Sequence, residues 1–196
     1  MSFREGRFRT PPEFNTGREH EYSLFDQVDV NAPEFVAQLK KYAADSGNRI
    51  NRRDAIQLAK DFQPGDPEQP TKQFFNDLRI EIMDKLDDAD IDAEVKAYTA
   101  VNTPLDIAYG TDAFITIEVD GREHVVTLDA TINPEKLSRG HKADILVGNI
   151  PEPNEGPQAE EQYLETVEQI AALAIKELRN KMSGGIQTYR AEPFDM

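Results

Sequence analysis

Gly110-Thr111-Asp112-Ala113-Phe114-Ile115-Thr116-Ile117-Glu118-Val119, then Asp120-Gly121-Arg122-Glu123, then His124-Val125-Val126-Thr127-Leu128-Asp129-Ala130-Thr131, is the stretch that decides how this chain reads. The two outer segments are rich in Val, Ile, Thr and Phe, which suit a pleated, half-buried surface. The segment between them opens with Asp-Gly, a dipeptide favoured in tight hairpins because both residues tolerate positive φ. Pairing across that turn brings Asp112, near the start of one strand, close to Asp129, near the end of the other. Strand side chains alternate, so Asp129 and Thr131 share one side while Leu128 and Ala130 share the other, where a helix can cover them.

Further strand patterns lie near 95–101 and 143–147, and amphipathic helices flank the sheet region. Asn31 with Glu34 three residues on reads as a capping box with Pro33 in the first turn. Phe35, Val36, Leu39, Tyr42 and Ala43 follow on one face. Asn51 with Asp54 opens a second helix carrying Ala55, Leu58, Ala59 and Phe62. After the break at Pro64-Gly65-Asp66-Pro67 and Pro70, a third helix runs from about 72 to 86 and buries Phe75, Leu78, Ile82 and Leu86. A last helix, about 160–182, offers Leu164, Val167, Ala171, Ala174, Leu178 and Met182, and Ser183-Gly184-Gly185 stops it. The expected fold is α/β (α+β): a small mixed sheet with the hairpin 113–131, flanked by helices. Residues 1–30 read as an irregular arm, 31–182 as one domain (a helical part 31–88 and a sheet part with its covering helix 93–182), and 183–196 as a tail. The acidic run 87–92 lacks the glycine and terminal glutamate of a calcium loop and reads as a solvated linker.

The 196 residues suit one domain with a sizeable core. A net charge of −15 counts against a general nucleic-acid binder, though a locally basic cleft is compatible with it. The absence of cysteine excludes disulfides, thiolate metal sites and Cys nucleophiles. With no secretory pattern and no apolar run long enough to cross a bilayer, the expected location is cytoplasmic, without membrane contact. His20, His124 and His141 lack zinc-site spacing. His124, beside the turn, is expected to be exposed, and His141 is a minor contender for proton transfer. Phosphate-binding, dinucleotide and nucleophile-elbow motifs are all missing. Oligomeric state is not legible.

Two carboxylates converging at a sheet edge, with water completing the shell, form the oxygen-rich site that Mg²⁺ prefers. Such an ion lowers the pKa of a bound water and neutralises charge on a scissile phosphate, and a nearby lysine adds stabilisation. The arrangement resembles the PD-(D/E)-x-K phosphodiesterase superfamily, the restriction-endonuclease-like fold, over residues 72–182 at most. In that family an aspartate from one strand of a hairpin is joined by an acidic residue, with a lysine two positions later, from the next strand. The resemblance implies Asp112 and Asp129 as catalytic metal ligands for Mg²⁺ in a nuclease-like hydrolase. Thr131 stands where the lysine belongs, so Lys142, just before the strand pattern 143–147, or Lys136 would take its place. A helix glutamate that sometimes joins the site would be Glu81.

Plainer roles are open to the same residues. Asp112 can satisfy backbone donors at the mouth of a strand, Asp129 and Thr131 can cap the following turn, and Asp106 after Thr103-Pro104 can serve a turn or replace Asp112 as first ligand. Two functions follow. One is a metal-dependent nuclease-like domain, active or degenerate, meeting nucleic acid through a local basic cleft. The alternative is a non-catalytic acidic protein of the same fold that binds a basic protein partner.

Overall fold

A computed structural model of the chain describes residues 17–45, 49–133 and 142–184. Four strands, β1 (Ala93–Thr99), β2 (Ala113–Val119), β3 (Arg122–Ala130) and β4 (Ile145–Val147), form one mixed sheet in the order β1-β2-β3-β4. The first three are antiparallel, and β4 runs parallel to β3. The hairpin follows the sequence expectation: Ala113 faces Leu128 and Val119 faces Arg122. Asp120 and Gly121 make the turn with φ of 51° and 71°, two consecutive left-handed residues as a type I′ turn requires.

Among the described residues six α-helices surround the sheet: α1 (Gly17–Phe25), α2 (Pro33–Asp45), α3 (Arg52–Asp61), α4 (Gln73–Asp87), α5 (Pro104–Tyr109) and α6 (Pro157–Met182). Alternation along the strands divides the core. Ala113, Ile115 and Ile117 of β2 join Val126, Leu128 and Ala130 of β3 under α4 and α6. Phe114 and Tyr98, stacked at 5.1 Å between ring centroids, face the other way against Ala55 and Ala59 of α3 and Leu105 of α5. α2 packs outside α3, with Phe35 edge-on to Phe62 at 5.2 Å. Asn51 caps α3 as its sequence indicates, accepting the N–H of Asp54 at 2.9 Å.

Several expectations need correction. The stretch 1–30 is not irregular throughout, because α1 lies within it. Phe25 anchors that helix, meeting Phe75 edge-on at 5.1 Å and Phe74 at 6.1 Å. The segment after Thr103, read as a turn, is the short helix α5, with Thr103 as N-cap and Gly110 at φ 60° closing it. Leu164 and Met182, assigned to the core face of the last helix, are 57% and 46% exposed. Tyr163 holds the inward stripe instead, with Val167, Ile170, Ala171, Ala174 and Leu178. Its ring is buried while its hydroxyl donates to Asp77 of α4 at 2.6 Å, which apolar Leu164 cannot do. His124, expected to be exposed, is half-buried.

The far end of α6 is tied to the sheet by a buried ion pair. Lys181 Nζ lies 3.0 Å from both carboxylate oxygens of Asp144, whose side chain is fully buried. The same carboxylate accepts the N–H and hydroxyl of Thr127 on β3 at 2.8 and 2.9 Å. These bonds satisfy a charge that would otherwise be costly to bury.

The hairpin turn is directly testable. A β-branched residue at a left-handed position costs about 1–2 kcal/mol, so Gly121→Val is expected to lower stability by that much. Asp120→Asn, which suits positive φ at least as well, is expected to change little. Urea denaturation of the two variants checks both.

Candidate functional site

Asp112 sits just before β2, where three strands meet. Its carbonyl accepts the N–H of Ala100 at 2.8 Å and its own N–H goes to Leu128 at 2.9 Å. Its carboxylate Oδ2 accepts the N–H of Ala130 at 2.7 Å. A side-chain oxygen therefore holds a ladder position that a backbone carbonyl would otherwise fill, which is the backbone role foreseen for it. Continuing the register beyond the Ala113–Leu128 pair sets Asp112 against Asp129, both on the face that carries Phe114 and Thr127. Both aspartates are buried, at 3% exposure each.

The three-carboxylate group among the described residues consists of Asp112, Asp106 and Glu21, whose oxygens all lie within 4.8 Å of one another. Opposite oxygens of an octahedral Mg²⁺ stand roughly 4 Å apart, so small movements would let all three share one ion. Asp129 is not a member of this trio, although its charge acts on Asp112. Glu81 takes no part. It lies on α4, pairs with Lys85 at 3.1 Å and borders a groove against α6. The glutamate that a helix brings to Asp112 is Glu21 of α1.

Asn102 brings α1 to the site. Its backbone is left-handed at φ 75°, a conformation Asn tolerates better than most residues. Its Oδ1 accepts from Arg18 at 2.6 Å and from the Tyr22 hydroxyl at 3.2 Å, and its Nδ2 donates to Gln27 at 3.0 Å. Its N–H goes to Asp106 Oδ2 at 2.9 Å, so Asp106 serves the turn and the cluster together. Arg18 also pairs with Asp106 at 3.3 Å. On the buried side of α1, His20 Nε2 lies 3.2 Å from the carbonyl of Gly148, and burial holds its pKa below the ordinary imidazole value.

Lys142 comes alongside the same loop. Its amine donates to the Ala108 carbonyl at 3.3 Å and its stem passes Gly110, where an added Cβ would meet it at 4.0 Å. The other proposed cation, Lys136, lies outside the described residues, as does His141. Thr131, standing at the expected lysine position, is buried and accepts the N–H of Asn133 at 3.1 Å, the turn-capping role foreseen for it. The hydroxyl of Thr111, beside Asp112, is buried with no hydrogen-bond partner among the described residues.

Burial pushes the Asp112 carboxyl up from 3.8 to about 8, opposed by the Ala130 N–H and reinforced by the charges of Glu21, Asp129 and Asp106. A trio of carboxylates, one of them with raised proton affinity, is a donor set that could bind a metal ion in place of that proton.

Comparison with family models, with curated proteins and with solved structures returns no match. Among the described residues no helix is long and apolar enough to cross a membrane. Glu21 is the site residue that sequence reading missed. The usable signal was the spacing of His20, Leu24 and Phe25, which bury one face of α1 and turn Arg18, Glu21 and Tyr22 toward the β1–α5 loop.

Two outcomes follow. A carboxyl raised from 3.8 to about 8 binds its proton more tightly in the folded chain. Stability of the metal-free protein should therefore fall as pH rises between these values and level off above them. Asp112→Asn keeps an acceptor for Ala130 and should flatten that slope, as read from urea unfolding at pH 5 and pH 8. Asn102→Gly preserves the left-handed backbone but removes three side-chain hydrogen bonds. It is expected to cost roughly 1–3 kcal/mol and to speed amide hydrogen exchange selectively in α1.

Proposed function

We propose that this chain is a metal-dependent, nuclease-like domain, a divergent relative of the PD-(D/E)-x-K phosphodiesterases acting on nucleic-acid phosphodiesters. The observation that carries this reading is the meeting of Asp112 from the β2 end of the hairpin with Glu21 and Asp106, within electrostatic reach of Asp129 on β3. A hairpin aspartate, an acidic residue on the next strand and a helix glutamate form the pattern that the sequence resemblance implies. Asp112, Asp106 and Glu21 would hold the ion, with Asp129 behind them. A bound Mg²⁺ would supply charge neutralisation at the scissile phosphate and acidify an attacking water. Arg18 and Lys142, both exposed, supply positive charge beside the carboxylates and would orient a phosphate approaching them. The strongly acidic remainder of the surface confines any nucleic-acid contact to this neighbourhood.

One observation favours the alternative, a catalytically silent member of the fold that binds a basic protein. Thr131 occupies the lysine position of the motif and its hydroxyl is engaged in a turn. The two readings separate in one set of measurements. Binding at 100 times Kd adds about 2.7 kcal/mol, so saturating Mg²⁺ or Mn²⁺ should raise the melting temperature by about 5–10 °C in a domain of this size. Asp112→Asn and Glu21→Gln should each abolish that rise. Cleavage of labelled single- and double-stranded DNA and RNA should require the metal and disappear in Asp129→Ala. A metal-dependent rise without cleavage would favour the silent member, and no rise at all would overturn the metal site.

A further inference from the structure

On the sheet face opposite Asp112, α4 and α6 leave an open groove of about 540 Å³ along their outer seam, lined by Asp77, Ile80, Glu81, Glu161, Leu164, Glu165, Val167 and Glu168. Ile80 and Leu164 are 42% and 57% exposed there, apolar surface in a wall of carboxylates. Two cross-helix contacts hold the walls together. Tyr163 donates to Asp77 at 2.6 Å, and Lys85, paired with Glu81 of its own helix at 3.1 Å, reaches across to Glu168 at 3.4 Å. Glu161 and Glu165, on α6 beside Leu164, form no ion pair among the described residues. Five carboxylates around two exposed aliphatic side chains call for a ligand that is apolar at its centre and cationic at its edges.

The chain contains such a segment. Phe8 is flanked by Arg7 and Arg9, with Phe3, Arg4 and Glu5 before them, in a protein whose net charge is −15. We propose that the segment 3–9 docks in the α4–α6 groove of its own chain, with Phe8 over Ile80 and Leu164 and the arginines against Glu161 and Glu165. The connection is long enough. Eight residues lie between Phe8 and Gly17, an extended reach of ~30 Å. Gly17 lies ~12 Å from Phe25 along α1, whose ring meets α4 at Phe74 and Phe75. Ile80 is then ~8 Å further along α4, and neighbouring helix axes add ~8–10 Å. Tethering supplies a high effective concentration, so modest contacts suffice. This inference does not depend on the metal site.

The absence of native cysteine makes the test direct. Thr10→Cys in the full chain carries a nitroxide, and methyl NMR reads paramagnetic broadening. The methyl signals of Ile80 and Leu164 are expected to lose most of their intensity at low salt. They should recover near ~1 M NaCl, where the screening length falls to ~3 Å, and in Glu161→Lys/Glu165→Lys, whose exposed positions leave the melting temperature unchanged. Broadening spread evenly over the surface, or strongest at exposed Ile107 on α5, would overturn the proposal. So would equal broadening in a mixture of nitroxide-bearing chains with separately isotope-labelled chains, which would assign the groove to a second copy.

Discussion

The structure depends on one tight turn. Asp120 and Gly121, both with positive φ, set the register in which β2 and β3 pair. Because strand side chains alternate with period two, a slip of β3 by one residue would exchange its two faces relative to β2. Val126 and Leu128 would leave the layer under α4 and α6 while Ile115 and Ile117 stayed, and Asp112 and Asp129 would no longer share a face. Core and candidate site are thus two consequences of the same register.

Asp112 shows how a sheet end can store a chemical group. The backbone around it needs an acceptor for Ala130, and the carboxylate provides one at 2.7 Å. Burial makes the charge expensive, and three nearby acidic groups make it more so. The folded chain therefore holds a carboxyl whose pKa is pushed up to about 8. The hydrogen bond that fixes this side chain also leaves it among the carboxylates of Glu21 and Asp106. Asn102 performs the matching task for α1, joining a helix distant in sequence to the loop that carries Asp106.

Charge is distributed to two ends. Around Asp112, Arg18 and Lys142 offset the carboxylates, whereas along the α4–α6 seam Lys85 is the cation paired with the groove's acidic side chains among the described residues. An approaching anion and an approaching cation would therefore meet different faces of the protein. The sheet between them keeps the two surfaces independent.

Local signals were strong enough to define the hairpin, α3 with its Asn51 cap, α4 and most of α6, because turn chemistry, capping and periodicity are properties of neighbouring residues. They also identified Asp112 as a residue with two competing roles. Tertiary structure alone decided the rest. α1 is short and has little intrinsic reason to form; it exists because Phe25 packs on Phe74 and Phe75 and Asn102 takes hydrogen bonds from Arg18 and Tyr22. Glu21 consequently reaches the site from a stretch that reads as an irregular arm, and Glu81 does not. Tyr163 displaced Leu164 from the core because Asp77 was there to receive its hydroxyl. Such choices turn on partners far away in sequence, where no local pattern can register them.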